Sequence, residues 1–147
     1  MKKILLIAAF GVSLINAEVI EKASCVSVEA TTQNIKNILQ KKRLTLFSIV
    51  DHGRNAQEVG MKLHPSKLII FGNAKVGTHF MQENIQAGLD LPLKILVYTD
   101  ESDKTKMAYR ELLGFTDANN AETKKRVATV NAALQKITTE ASQCLKD

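Results

Sequence analysis

The apolar run at residues 68–71 (Leu-Ile-Ile-Phe) constrains the fold of this chain more strongly than any other segment. Because the side chains of a strand alternate between its two faces, four consecutive apolar residues make both faces apolar. A strand of that kind belongs in the middle of a sheet. Gly72 and Asn73 follow directly, and this pair favours a turn. The sequence therefore predicts a sheet that is built around this run.

Hydrophobic periodicity along the rest of the chain predicts four further strands and four helical segments. The polar connection at 100–103 between two of the strands is typical of a hairpin. A hairpin and a terminal helix together predict an α+β fold, with an antiparallel sheet and helices mainly on one face. In chain order the segments are a strand at 24–30, a helix from a Thr31-Thr32 cap to about 43, a strand at 44–50, a short helix or turn at 55–61, the strand after Lys67, a helix at 76–84, strands at 93–99 and 104–110, and a helix at 121–144.

The long C-terminal helix carries a single narrow apolar seam. A spacing of alternately three and four residues places all members of the seam on one helix face. We expect the seam to pack across one face of the sheet, while pairing with a second helix, as in a homodimer, is the alternative. The seam consists of Val127, Val130, Leu134, Ile137, Ala141 and Cys144.

The first 17 residues have the pattern of a secretory signal peptide. Lys2 and Lys3 precede an apolar run at 4–15, and small residues end the segment at Ala17. The run is too short to span a bilayer, which needs about 20 apolar residues. We expect cleavage after Ala17, a single mature domain at 18–147 with no stable membrane anchor, and a periplasmic location. Secretion and a retained N-terminal anchor are the alternatives.

Composition and charge narrow the classes of protein further. With 45% hydrophobic and 24% charged residues, the chain resembles an ordinary globular protein and not a disordered one. The formal net charge of +5 falls by two when Lys2 and Lys3 are removed. The remaining basic residues have acidic neighbours apart from two triplets at predicted helix ends, Lys41-Lys42-Arg43 and Lys124-Lys125-Arg126, so we expect no nucleic-acid partner.

Export changes the interpretation of the two cysteines, Cys25 and Cys144. Two cysteines in an oxidising compartment usually pair, so we expect a disulfide between them. Strict alternation along a strand at 24–30 would point Cys25 away from the core, so the pairing requires a bend there. A redox-active pair is disfavoured because the chain has no Cys-x-x-Cys motif.

Two strand ends carry the residues best suited to chemistry. One is Asp51-His52, and the other is the loop at 72–79. The glycines of the loop let the backbone approach a ligand, and the first N–H groups of the following helix favour an anion. Lys75 adds a positive charge. The spacing of a Walker loop is absent, and a plain turn is the alternative.

The histidine spacing favours no metal or haem site, and a folded site of His52 and His79 with Met61 or Met81 is the alternative. No pair has the His-x-x-x-His spacing that places two ligands on one helix face. His52 is either a functional base or ligand, which Asp51 orients only if the strand has ended, or a hydrogen-bonded structural histidine. Asp90 lies among apolar residues, where it either caps a backbone turn or faces a pocket. We therefore predict no cofactor.

Three blocks of the sequence together resemble the domain-of-unknown-function 302 family. They are Asp51-His52, residues 67–78 and residues 88–98, and the similarity extends over 28–109. Ala74 stands where the family usually has proline. The resemblance implies a fold similar to the TATA-binding-protein-like arrangement, with a curved antiparallel sheet and a long C-terminal helix. It implies no activity. The residues shared with the family are His52, Gly72, Asn73, Lys75, Gly77, Thr78, Asp90 and Pro92.

These observations favour an exported binding domain for a small anionic or polar ligand. We expect the site where the ends of the second and third predicted strands meet. One alternative is an enzyme, hydrolase-like or other, that uses His52 as general base with Asp51 or Asp90 as helper. Another is a structural or assembly protein. The predicted ligand-binding residues are His52, Gly72, Asn73, Lys75, Gly77, Thr78 and Asp90.

Overall fold

The computed structural model describes residues 19–113 and 120–143. The predicted signal peptide at 1–17 and Cys144 lie outside these ranges. The elements are β1 (Val19–Ala23), α1 (Val28–Lys41), β2 (Thr45–Asp51), α2 (His52–Glu58), β3 (Ser66–Gly72), α3 (Ala74–Glu83), a 3-10 helix (Ile85–Leu89), β4 (Leu93–Thr99), β5 (Thr105–Arg110) and α4 (Ala121–Ala141).

The five strands form one open sheet in the order β1-β5-β4-β3-β2. Every pair of neighbours is antiparallel. The apolar run at 68–71 lies in β3, between β2 and β4, as its composition predicts. The predicted β4–β5 hairpin is present, and Asp100 accepts backbone hydrogen bonds from Ser102 and Lys104 in its turn. The α+β fold with an antiparallel sheet and a C-terminal helix is confirmed.

The main core lies between one face of the sheet and the helices α1 and α4. Ile69 of β3, Ile95 of β4 and Ile137 of α4 are all completely buried. Full burial of a side chain of this size stabilises the fold by about 1.5–3 kcal/mol. The other members of this core are Val28, Ile35, Ile38, Leu39, Phe71, Val97, Met107, Tyr109, Leu134 and Ala141.

Helix α1 begins three residues earlier than the sequence predicts, in the segment that was expected to be a strand. Ser27 is the N-cap, because its hydroxyl accepts a hydrogen bond from the backbone N–H of Ala30. Thr31 and Thr32, the expected cap, are buried inside the helix. The alternation at 24–30 is too short to be distinguished from the start of a helical period, so the strand prediction is wrong.

The first strand is instead β1, which the sequence interpretation missed. It is an edge strand paired only with β5 among the described residues, with Ile20 opposite Tyr109 and Lys22 opposite Met107. Its side chains alternate between exposed and half-buried, as expected for a strand with one face toward the core.

Helix α4 confirms the interpretation of the apolar seam as intramolecular packing. Leu134 and Ala141 belong to the main core. Val127 and Val130 pack against a smaller cluster that contains Phe80. No described helix is both long enough and apolar enough to cross a membrane.

Candidate ligand-binding cavity

The loop between β3 and α3 is ordered by its own backbone and by one capping side chain. Asn73 precedes the helix in an extended conformation, and its Oδ1 accepts a hydrogen bond from the N–H of Val76 at 3.2 Å. The N–H of Gly77 donates to the carbonyl oxygen of Asn73 at 2.9 Å. Asn73 therefore supplies the cap that the first turn of a helix requires.

Beside this loop lies a cavity of about 910 Å³. Its wall is formed by the end of β3, by α3, by the segment that leads into β4, and by α4. Most of the described lining side chains are apolar. The apolar lining residues outside α4 are Leu44, Phe47, Phe71, Ala74, Val76, Phe80, Met81, Leu91, Pro92 and Leu93.

Helix α4 contributes the lining residues that follow helical spacing. Those near its N-terminus are polar or charged, and those further along are apolar. Because residues three and four apart share a helix face, one stripe of the helix forms this wall. The stripe consists of Glu122, Lys125, Arg126, Thr129, Val130, Ala133 and Ile137.

A polar network joins α3 to α4 beside the cavity. The buried hydroxyl of Thr123 donates to the carboxylate of Glu83, with both carboxylate oxygens at 2.6 Å. Arg126 pairs with the same carboxylate at 3.3 Å and also with Glu122. Arg126 therefore forms ion pairs with both Glu83 and Glu122 within the protein. Lys125, which directly precedes Arg126, has no ion pair within the described part of the chain.

Four of the predicted ligand-binding residues line this cavity: Gly72, Asn73, Gly77 and Thr78. Two others, Lys75 and Asp90, are exposed and are not among its lining residues. Asp90 ends the 3-10 helix, and its carbonyl oxygen accepts a hydrogen bond from the ammonium of Lys94.

The surroundings of the two glycines are apolar. A Cβ at Gly72 would contact the Phe47 ring at 3.6 Å and Pro92 at 3.7 Å, and a Cβ at Gly77 would contact Leu91 at 3.8 Å. These are ordinary van der Waals distances. The expected polar cradle for an anion is therefore not what surrounds the glycines.

His52 lies at the opposite end of the sheet from the Gly72 loop. In the β2–β3 pair, Asp51 is opposite Lys67, whereas Thr45 is opposite Gly72. Six residue steps along a strand correspond to about 20 Å. The expectation that His52 and the loop share one site is wrong, because antiparallel strands end at opposite edges of the sheet.

At that far end, Asp51 has a structural role. Its carboxylate accepts a hydrogen bond from the N–H of Arg54 at 2.9 Å and so caps α2. This hydrogen bond, aided by the nearby charge of Lys67, lowers the pKa of Asp51 below its usual value despite partial burial. Lys67 also pairs with Glu29 of α1, and hydrogen bonding to that carboxylate raises the pKa of Lys67.

Close packing of α2 on β3 depends on Gly53, which follows His52. A Cβ at this buried position would lie 3.3 Å from the carbonyl oxygen of His64 and 3.3 Å from the nitrogen of Ser66. Both contacts are with backbone atoms, so they are not relieved by rotation of a side chain. His52 itself is half-buried and does not line the cavity.

The sequence interpretation missed the residues that make the cavity apolar, notably Phe47, Leu91 and Ala133. In the structure, Phe47 is recognisable as a possible ligand contact because its side chain is 51% exposed beside an irregularity in the β2–β3 register. No pattern in the sequence marks it. The α4 stripe was recognised as apolar, but its spacing alone does not distinguish a tightly packed residue from one that faces an empty space. Within the described residues, no group of three or more acidic, histidine or cysteine side chains is placed to hold a metal ion.

The sequence profile of the family "Domain of unknown function DUF302" matches residues 20–141. The chain belongs to the DUF302 family. The DUF302 fold is also found in a solved structure, "Crystal structure of uncharacterized conserved protein DUF302 from Bacillus stearothermophilus". The TM-score is 0.73 at 18% identity, over 84% of this chain and 97% of that chain. This likeness establishes the fold alone.

Curated relatives of the DUF302 chain carry the name of a fluoride channel. "Fluoride-specific ion channel FluC 1" of Brucella suis is 38% identical over 92 residues, which is 63% of this chain and 36% of that protein. The protein of the same name in Brucella abortus is also 38% identical, over 63% of this chain and 34% of that protein. The chain thus spans about a third of the length of these relatives.

Proposed function

We propose that the protein is an exported binding domain whose ligand is a mostly apolar small molecule that occupies the cavity beside α4. The observation that carries this proposal is the cavity itself, with its volume of about 910 Å³ and its largely apolar wall. Ligand sites typically have volumes of about 300–1,000 Å³ and mainly hydrophobic linings with a few polar groups.

The cavity is open to solvent, so part of its apolar wall is in contact with water. Covering apolar surface is favourable by about 25 cal/mol per Å². The lining side chains Phe47 and Val76 are 51% and 37% exposed. A ligand that covers them would remove this apolar surface from water.

Because the wall is mostly apolar, we propose a mainly apolar ligand instead of the anionic or polar one that the sequence predicts. The capping oxygen of Asn73 is already hydrogen-bonded to Val76. Lys75, the expected source of positive charge, is not among the lining residues. The polar side chains that remain are Thr78 and His79 on α3 and those on the N-terminal part of α4, where the charged lining residues lie.

Export and a Cys25–Cys144 disulfide form part of the same proposal. The signal-peptide pattern at 1–17 supports export. The backbone N–H of Cys25 donates to the carbonyl oxygen of Ser142 at 2.9 Å, which brings Cys25 beside the end of α4. Cys144 follows Ser142 by two residues. This proximity supports pairing in an oxidising compartment.

The geometry gives less support to the enzymatic and assembly alternatives. An enzyme with His52 as general base requires the imidazole to face a substrate pocket, and His52 is remote from this cavity. Assembly through the seam of α4 requires an exposed apolar stripe, whereas Leu134, Ile137 and Ala141 are buried within the protein.

A larger side chain introduced on α4 tests the proposal, because it would fill the cavity and exclude the ligand. Ala133 lines it, whereas its neighbour Ala132 is exposed on the same helix. We expect Ala133→Phe to weaken the binding of Nile red to the mature protein by at least about tenfold, which corresponds to about 1.4 kcal/mol. Ala132→Phe adds the same ring outside the cavity and should leave binding unchanged.

Fluorescence titration measures the affinity, dodecanol serves as the competitor, and circular dichroism verifies that both variants fold. Ala133→Leu provides a smaller filling group should the phenylalanine variant unfold. The proposal is contradicted if the parent protein binds neither the dye nor dodecanol, or if folded variants at 132 and 133 bind them equally well.

A further inference from the structure

We infer that the ligand of the cavity is a single-chain amphiphile with an acidic head group, and that Lys125 binds this head group. The inference rests on the proposed function, because the cavity must first accept the apolar chain. The shared chemistry is an anionic group, such as a carboxylate or a phosphate monoester, at the end of an alkyl chain.

The cavity wall changes from polar to apolar along α4. Lys125 and Thr129 lie toward the N-terminus of the helix, and Ala133 and Ile137 lie further along. Twelve residues separate Lys125 from Ile137, which is about 18 Å along a helix axis. A molecule with one charged end and a long apolar body matches this gradient, whereas a compact polar ligand or a uniformly apolar one matches only half of it.

Lys125 is a basic lining residue that forms no ion pair within the described residues, so its ammonium can bind an anionic ligand. Arg126 also lines the cavity, but it pairs with Glu83 at 3.3 Å and with Glu122. The carboxylate of Glu122 is the acidic group of the described wall, and Arg126 holds it. Lys125 makes no ion pair with any described residue, so no described carboxylate competes for its ammonium.

Two further polar side chains of the wall, those of Thr129 and Asn73, are hydrogen-bonded within the protein. The hydroxyl of Thr129 donates to the carbonyl oxygen of Lys125 within the helix at 2.8 Å. The side-chain oxygen of Asn73 accepts its helix-capping bond. An ammonium is a compact donor of three hydrogen bonds, which suits a carboxylate or phosphate oxygen equally well and repels a cation.

The experiment compares head groups on one chain length. Dodecanoate, dodecyl phosphate and dodecyltrimethylammonium below their micelle concentrations, and dodecanol below its solubility limit, are titrated into the mature protein and two variants. Lys125→Glu reverses the charge at the cavity, and Lys124→Glu reverses it one residue away, at a position outside the lining. We expect the parent to prefer the two anions over dodecanol and to bind the cation most weakly.

For Lys125→Glu we expect affinity for both anions to fall by about fivefold or more, as for the loss of a partly exposed ion pair. Its affinity for dodecanol should stay within about twofold of the parent, and Lys124→Glu should resemble the parent with every probe. A larger loss for one anion than for the other identifies which head group Lys125 binds better.

The outcomes separate this inference from the proposed function. If dodecanol and the anions bind equally well and Lys125→Glu changes none of them, the acidic head group is refuted and the apolar cavity site stands. If both glutamate variants weaken anion binding equally, the effect is one of overall charge and the assignment to Lys125 is refuted. If the parent binds none of the four probes, both proposals fail.

Discussion

Asp51 shows how one side chain can be recognised from sequence and still be assigned the wrong role. The sequence places it beside His52 as a candidate helper for catalysis. In the structure its carboxylate caps α2 through the N–H of Arg54 and faces Lys67 at 3.5 Å. Both contacts favour the ionised form and lower its pKa. An acid at the end of a strand is therefore a capping residue here.

We expect Asp51→Ala to lower the free energy of unfolding by about 1 kcal/mol at about pH 7, because α2 loses its N-cap. The contribution of the ionised carboxylate is fully present above its unfolded pKa of about 4 and is lost as the pH falls through the lower folded pKa. Urea unfolding at neutral and acidic pH measures both values. Asp51→Asn keeps a capping oxygen and should cost less than Asp51→Ala at neutral pH, and an equal cost for both variants would contradict the capping role.

The helices α1 and α4 show how well hydrophobic periodicity identifies the type and the ends of a single element. The seam of α4 extends from Val127 to Ala141, about four helical turns, so its type and face are read without ambiguity. The start of α1 was misread because Val26, Val28 and Ala30 fit an alternating pattern for only a few residues. Ser27 is the better marker, since serine before an apolar helical period is a preferred N-cap.

Leu134 provides a test of the seam. It is 1% exposed and belongs to the core between α4 and α1, whereas its neighbour Gln135 is exposed. We expect Leu134→Ala to lower the free energy of unfolding by about 2–5 kcal/mol through lost burial and the resulting cavity. Gln135→Ala should change it by less than about 0.5 kcal/mol. Denaturant unfolding of both variants measures the difference, and similar small effects at 134 and 135 would contradict the buried seam.

At the scale of the whole molecule, the direction of the strands decides which residues meet. The sequence correctly predicts β2 and β3, yet the candidate site depended on both strands ending at the same edge. Antiparallel pairing separates Asp51 from Gly72 by the length of the strands. The cavity arises instead where α4 passes over the end of β3 and beside α3.

The proposed disulfide would join Cys25 to Cys144, near the two ends of the proposed mature domain. We expect reduction of the mature protein to lower the free energy of unfolding by about 4–5 kcal/mol in the chain-entropy model, less any native strain, because the bond closes a very long loop. Unfolding with and without reductant measures this difference. A variant with alanine at both cysteines should be insensitive to the reductant. Two titratable thiols in the unreduced native protein would show that no such bond exists.

The order and type of most elements follow from local patterns in the chain, because hydrophobic periodicity and turn residues act over a few neighbouring positions. Those patterns predict the α+β class, β3 inside the sheet, the β4–β5 hairpin and the long helix α4. The pairing of distant strands and the space left between α3 and α4 depend on contacts between residues far apart in sequence. For that reason the apolar cavity, the remoteness of His52 and the position of Lys125 in the cavity wall emerge only after the elements have packed.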